Sequence, residues 1–175
     1  SRLPQEIVDQ EIQYVRELGV EFKLNCKIGK DITFEELLSQ GYAAFLLCIG
    51  LQKPKLINIP GIDLKGVTNA VDFLASAKPN SGNIDIGENV IVIGGGDVAM
   101  DCAATAKLLG AKKVSIVYRR TYEEMPANKE EVKYVSKLGV NIFYGFKPKE
   151  IIGENGKVCR FCAVGFKDDS ILELK

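Results

Sequence analysis

Apolar residues recur at helical spacing across residues 4–18, where Ile7, Val8, Ile12, Val15 and Leu18 share one face and Gly19 ends the pattern. This predicts an amphipathic helix. Residues 20–25 alternate as a strand does, Thr33 is placed to cap a short helix through Leu38, and residues 43–49 form an apolar run, stopped by Gly50, with the pattern of a buried strand. Pro54, Pro60 and Gly61 make the next stretch a surface connection, residues 71–77 predict one more short helix, and residues 78–83, reading KPNSGN, predict a linker. A second unit begins at Asn89. Residues 90–93 form a short, fully apolar strand, the following triple glycine a tight turn, and residues 98–109 a helix ended by Gly110. Residues 114–118 predict the next strand, a helix runs from near Pro126 to Leu138 and is closed by Gly139, and residues 140–146 predict a third strand. Residues 149–152 and 157–166, joined by the turn Glu154, Asn155, Gly156, read as antiparallel strands.

A weak internal repeat links the two units. Tyr14, Val15, Leu18, Gly19 and Val20 recur as Tyr134, Val135, Leu138, Gly139 and Val140, each 120 positions later. Helix, glycine and strand recur together, which favours duplication. By the same offset, the first unit's counterpart of the glycine turn falls roughly 26 residues before Ser1. The second unit has no counterpart of the apolar run at residues 43–49. The chain therefore reads as the middle of a longer protein.

Composition narrows the chemistry. Lysine plus arginine and aspartate plus glutamate both number 23, so no broad cationic field invites nucleic acid or anionic lipid. No apolar run approaches the length needed to cross a bilayer and no secretory signal opens the chain, so a cytoplasmic protein is expected. Five scattered cysteines fit a reducing compartment. The absence of histidine excludes histidine-dependent triads and imidazole acid–base chemistry within this chain. Hydride and electron transfer survive, because cofactors supply that chemistry and the protein positions them.

Gly94, Gly95, Gly96, Asp97, Val98 and Ala99 fit Gly-x-Gly-x-x-Ala directly after a strand and before a helix. In that setting Gly94 allows the tight turn, Gly96 lets backbone approach a pyrophosphate, and Ala99 allows close packing of helix on strand. The phosphates would meet the free N–H groups and the positive end of the helix. The second strand of such a unit normally ends on an acid that accepts a bond from the ribose 2′-hydroxyl. Here it ends Tyr118, Arg119, Arg120. Guanidinium groups cannot accept that bond but suit a 2′-phosphate, so the pair favours NADPH over NADH. A solvated basic pair at a strand end is the bland alternative.

Cys159 and Cys162 form a Cys-x-x-Cys, yet they lie in an expected strand, where side chains three positions apart face opposite sides. No second ligand pair accompanies them, so neither zinc nor redox chemistry is expected, and no metal site is assigned. Lys129, Glu130, Glu131 and Lys133 read as a solvated helix face.

Arg2, Leu3 and Pro4, the NIPG of residues 58–61, the GGGDVAMD of residues 94–101, the YRR of residues 118–120 and the EMPA of residues 124–127 together resemble one family. It is the small, or β, subunit of NADPH-dependent glutamate synthase and its flavoprotein relatives, including the NADPH-side domains of dihydropyrimidine dehydrogenase. The resemblance covers nearly the whole chain. It implies an α/β fold with a Rossmann-like parallel sheet of the FAD/NAD(P)-binding, pyridine-nucleotide-disulphide-oxidoreductase type, and an antiparallel meander in the second unit. Residues 1–80 would be part of an FAD-binding domain, and residues 84–175 an NADPH-binding domain lacking its last strand. Gly94 to Ala99 would form the NADPH phosphate loop, and Arg119 and Arg120 the 2′-phosphate clamp. Ile49 and Gly50 correspond to an Ala-Thr-Gly stretch beside FAD, although Cys48 and Ile49 depart from its small residues.

The resemblance further implies hydride transfer from NADPH to FAD, with electrons passing on to a partner subunit such as the glutamate synthase large subunit. The segments expected to hold the FAD pyrophosphate and ribitol are missing, so the chain alone should hold NADPH better than FAD and be inactive. Its exposed sheet edge should seek cover, from a second copy in a homodimer or from the NADPH unit. The competing reading is a non-catalytic dinucleotide-binding or subunit-docking module. No side chains are assigned to catalysis.

Overall fold

The computed structural model describes residues 3–51, 53, 54, 56–77, 84 and 86–175. The predicted linker at residues 78–83 lies outside the described residues. The chain divides into two compact units, Ser1–Ile49 and Gly50–Lys175.

The first unit holds two helices. Helix α1, Gln5–Glu17, follows Pro4 and ends at Leu18 and Gly19, whose φ of +85° is one glycine adopts without strain. Helix α2, Phe34–Ser39, opens on the expected Thr33: the Thr33 hydroxyl accepts the Glu36 N–H (3.2 Å) and the Glu36 carboxylate accepts the Thr33 N–H (2.8 Å). Neither expected strand forms. Residues 20–25 end at Asn25, whose φ of +55° breaks an extended path, and residues 43–49 pair with no strand. Far from being buried, Leu46 is 89% exposed. Apolar patterning supplies side chains for a buried strand, but only a partner strand satisfies its N–H and C=O groups, and none flanks either segment among the described residues. Within the unit Phe45 instead packs edge-on against Phe34, at 5.5 Å between ring centres.

The second unit follows the predicted order closely. Helix α3, Ala70–Ser76, is capped by Asn69, whose side chain accepts the Asp72 N–H. Strands β1 (Asn89–Ile93) and β2 (Lys113–Tyr118) flank helix α4 (Asp97–Leu108), and helix α5 (Lys129–Lys137) leads to strand β3 (Asn141–Tyr144). The strands form a parallel sheet in the order β1-β2-β3, with Ile93 opposite Val117 and Val117 opposite Phe143. Ala99, Ala103 and Ala106 present a buried small-residue face of α4, which lets the helix lie close to the sheet beside Met100, Val114 and Ile116. Helix α5 starts at Lys129, capped by Asn128, rather than near Pro126. The residues before it turn back toward the first strand.

The predicted third strand, residues 140–146, is two strands. Gly145, with φ +78°, ends β3, and Phe146 begins β4 (Phe146–Glu154) of a second sheet. Strand β4 pairs antiparallel with β5 (Lys157–Gly165) across the expected turn, where Asn155 and Gly156 have φ of +51° and +76°, and β6 (Ile171–Leu174) completes the meander. Strand β6 is not among the strands expected from the sequence. The stretch expected as a surface connection is partly an anchor: Pro60 C=O accepts the Ile151 N–H (2.9 Å), and Ile59, Ile62 and Leu64 pack against a core of Val117, Ile151, Phe161 and Ala163. Gly61 is obligatory there, because a Cβ would collide with the Ile151 carbonyl. No helix among the described residues is long and apolar enough to cross a membrane.

Candidate functional site

The carboxyl ends of β1 and β2 lie side by side, and each candidate nucleotide-binding group follows one of them. After β1 the three glycines do different things. Gly94 donates its N–H to Val117 C=O (3.1 Å), one step beyond the last strand pair, and its φ of +144° is one that side-chain-bearing residues rarely adopt. A Cβ on Gly94 would lie 3.5 Å from the Ala99 methyl, so α4 begins in close contact with the turn, as the Gly-x-Gly-x-x-Ala spacing predicts. Gly95 is buried under the ring of Tyr118: a Cβ there would lie 2.5 Å from Cε2 and 2.9 Å from Cγ. Gly96 is the N-cap of α4, with φ −94°, and nothing stands within 4 Å of where its Cβ would be.

The start of α4 is open on the Gly96 side. No side chain caps it, and the first N–H groups of a helix have no intrahelical acceptor. An uncapped helix start, its positive dipole end and the open space beside Gly96 fit a pyrophosphate, with the Ala99 N–H already taken by the Gly96 C=O (2.9 Å). The acid in this turn, Asp97, points its charge to a particular partner. Its carboxylate accepts the Asn128 N–H at 2.8 Å.

After β2, Arg119 and Arg120 are exposed at the strand's carboxyl end, beside the glycine turn in the sheet register. The chain beyond them is held at several points. Arg120 C=O accepts the Gly145 N–H (3.0 Å), the buried Tyr118 donates its hydroxyl to Glu124 C=O (2.9 Å), and the Glu124 carboxylate accepts the Thr121 N–H (3.2 Å). Met125 is buried, and Ala127 returns its N–H to Gly95 C=O at 3.1 Å. The EMPA motif is thus the strut that fastens the loop after the arginines to the glycine turn. In the sequence these residues carry a family resemblance without a task, and the Thr121–Glu124 spacing is the sign of a turn there.

Lys129 departs from the expectation of a solvated face. Its ammonium donates to Tyr122 C=O (2.6 Å) and stands 4.1 Å from the centre of the Tyr122 ring, which packs edge-on against Tyr144. Glu130 and Lys133 do pair on the exposed side at 2.8 Å. Burial pushes the Tyr144 phenol above its ordinary pKa.

Cys159 and Cys162 lie on β5 as expected, and on opposite faces: Cys159 is exposed, with its thiol 3.4 Å from Ile152 C=O, and Cys162 is buried. Burial raises the Cys162 thiol pKa, and it pushes Cys102, on the inner face of α4, up to about 11. Among the described residues no group of three or more cysteine, aspartate or glutamate side chains is arranged to hold a metal ion. Ile49 is 77% exposed and Gly50 has φ +65°, in a stretch with no strand pairing.

Comparison with known proteins gives this geometry a family. The NAD-dependent dihydropyrimidine dehydrogenase subunit PreT of Escherichia coli O157:H7 is 40% identical over 152 residues, 87% of this chain and 36% of its own. The glutamate synthase [NADPH] small chain of Halomonas elongata is 35% identical over 163 residues, 88% of this chain and 34% of its own. The NADP(+)-dependent formate dehydrogenase subunit beta of Moorella thermoacetica is 34% identical over 175 residues, which are 97% of this chain and 25% of that subunit. The chain thus spans between a quarter and little more than a third of these relatives. The crystal structure of Lactococcus lactis thioredoxin reductase shares the fold over 70% of this chain and 38% of its own, with a TM-score of 0.53 at 20% identity. Residues 29–173 match the family described as pyridine nucleotide-disulphide oxidoreductase, and the chain belongs to that family.

Proposed function

We propose that this chain is the NADPH-binding part of a flavoprotein oxidoreductase that moves a hydride from NADPH to FAD and electrons onward to a partner subunit, in the manner of the glutamate synthase small chain. The observation that carries this reading is the pairing of an uncapped, open helix start at Gly96 with two exposed arginines at the adjacent strand end. Residues 84–175 would serve the nicotinamide cofactor, and residues 1–80 would contribute to a flavin domain with Ile49 and Gly50 beside the flavin. The bound groups supply hydride donation and acceptance. The chain's own residues bind and orient: backbone N–H groups of the turn face the pyrophosphate, and Arg119 and Arg120 face the 2′-phosphate.

The names of the relatives divide on the coenzyme. PreT is named NAD-dependent, and the Halomonas and Moorella subunits are named for NADPH and NADP(+). Arg119 and Arg120 favour the latter for this chain, because a guanidinium cannot accept a ribose hydroxyl hydrogen but does donate to phosphate. Those relatives are named as subunits or chains, which supports a partner that receives the electrons.

Calorimetric titration tests the reading. NADPH should bind more tightly than NADH, and replacing both arginines by alanine should cost NADPH more than about tenfold, since charge-assisted bonds contribute about 1.5–3 kcal/mol each. Equal affinities in the unaltered chain would refute the coenzyme assignment. For the full-length protein, NADPH should bleach the flavin spectrum; a flavin band unmoved by NADPH would leave a nucleotide-binding docking module as the better reading.

A further inference from the structure

Asp97 is an odd residue for its place. It opens the helix whose uncapped start forms the proposed pyrophosphate cradle, so its carboxylate brings a like charge to the neighbourhood of a phosphate. Dipole compensation alone could explain an acid in a first turn. The geometry offers more, because this carboxylate is engaged across the fold with the Asn128 N–H at 2.8 Å.

That bond closes a ring. At one end Gly94 N–H meets Val117 C=O, and the chain then passes through Tyr118 and the two arginines. It is gathered midway by the Tyr118 hydroxyl on Glu124 C=O and returns to the turn through Ala127 N–H on Gly95 C=O and Asn128 N–H on Asp97. Residues 118–128 are therefore fixed to the glycine turn at both ends, and both arginines lie inside the closed segment. One of the two return bonds uses backbone atoms only. The other depends on a side chain and can be cut by substitution.

We propose that Asp97 is a positioning residue: by accepting the Asn128 N–H it locks the loop that follows Arg119 and Arg120 onto the glycine turn, and so sets coenzyme discrimination without touching the coenzyme's 2′-phosphate. This rests on the assignment of Arg119 and Arg120 to that phosphate. Removing the bond loosens the far end of the ring while Ala127 N–H on Gly95 C=O and Gly145 N–H on Arg120 C=O still hold, so the fold persists and the loop after the arginines is less tightly fixed. NADPH, which uses them, is affected more than NADH.

The test compares Asp97→Ala with Asp97→Asn in the purified chain, titrated separately with NADPH and NADH. Asparagine keeps an acceptor oxygen for the Asn128 N–H and loses only the charge; alanine loses both. The ratio of the two dissociation constants should fall about fivefold in Asp97→Ala, the scale of one hydrogen bond, and should stay within about twofold of the unaltered chain in Asp97→Asn. Thermal denaturation of both variants checks that each remains folded. An unchanged ratio in Asp97→Ala, or an equal fall in both variants, overturns the positioning role while leaving the arginine assignment intact. A ratio near one in the unaltered chain overturns the arginine assignment first, and this inference with it.

Discussion

Gly95→Ala should destabilise the second unit far more than Gly96→Ala, although the two glycines are neighbours in one turn. A methyl on Gly95 would lie 2.5 Å from Tyr118 Cε2 and 2.9 Å from Cγ, against the ~3.5–4.0 Å at which carbon atoms rest in contact. Tyr118 cannot step aside freely. It is buried at the end of β2, in the core beside Met125 and Ala127, and its hydroxyl is committed to Glu124 C=O at 2.9 Å. Overpacking of this kind costs about 1–3 kcal/mol, and loss of the tyrosine bond adds about 1 kcal/mol, so a loss of about 2–4 kcal/mol is expected. At Gly96 nothing lies within 4 Å of the new methyl and φ is −94°, which alanine adopts without strain. Urea and thermal unfolding followed by circular dichroism would measure both; Gly95→Ala should lower Tm by about 5–15 °C for a chain of this size. Combining Gly95→Ala with Tyr118→Leu, which removes the ring and its hydroxyl, should recover part of the loss. Equal stability of the two glycine variants, or no coupling with Tyr118, would refute the division of roles within the turn.

Gly96→Val should leave the chain folded, at a cost of about 1 kcal/mol for a poorer N-cap, and abolish dinucleotide binding, because the side chain fills the open approach to the start of α4; unaltered affinity in the folded variant would exclude this turn as the phosphate site. Thiol reagents applied to the native chain should label the exposed Cys48 and Cys159 ahead of the buried Cys102 and Cys162, which mass spectrometry of peptides resolves, and a Cys159→Ser, Cys162→Ser double variant should bind NADPH normally. Burial raises the Cys102 thiol from 9.0 to about 11, so its contribution to stability is complete below pH 9 and is lost as pH rises through about 11. Unfolding free energies measured across that window should fall, and the fall should be shallower in Cys102→Ala; identical slopes would exclude this thiol as their source.

How much of this was legible in the sequence follows the range over which each feature is decided. The Thr33 cap, the Gly94 turn, the contact of Ala99 with that turn and the Asn155–Gly156 hairpin were readable because each depends on a few consecutive residues. Residues 20–25 and 43–49 misled because strand formation is settled by a partner elsewhere, and alternation or apolarity describes only one side of that bargain. The break at Gly145 was missed because the run around it stays apolar, so one long strand and two short ones in different sheets look alike. The task of EMPA was hidden for a third reason: Ala127 meets Gly95 across 32 positions, and no local pattern announces such a bond.

The separation of duties around the turn bears on how a single fold could serve either coenzyme. The groups proposed to meet the pyrophosphate are backbone atoms, whose placement depends on Gly94, on the Tyr118 ring against Gly95 and on the buried alanines of α4. Both coenzymes carry the same pyrophosphate, so this part is indifferent to the choice between them. Arg119 and Arg120 are exposed and belong to neither core. Their side chains can be exchanged at little cost to stability, since surface substitutions away from caps, cores and strained backbone typically change it by less than about 0.5 kcal/mol. The 2′-phosphate site proposed on side chains at the end of β2, over the cradle proposed on backbone at the end of β1, would therefore allow coenzyme preference to change while the turn, the strut and the core stay as they are.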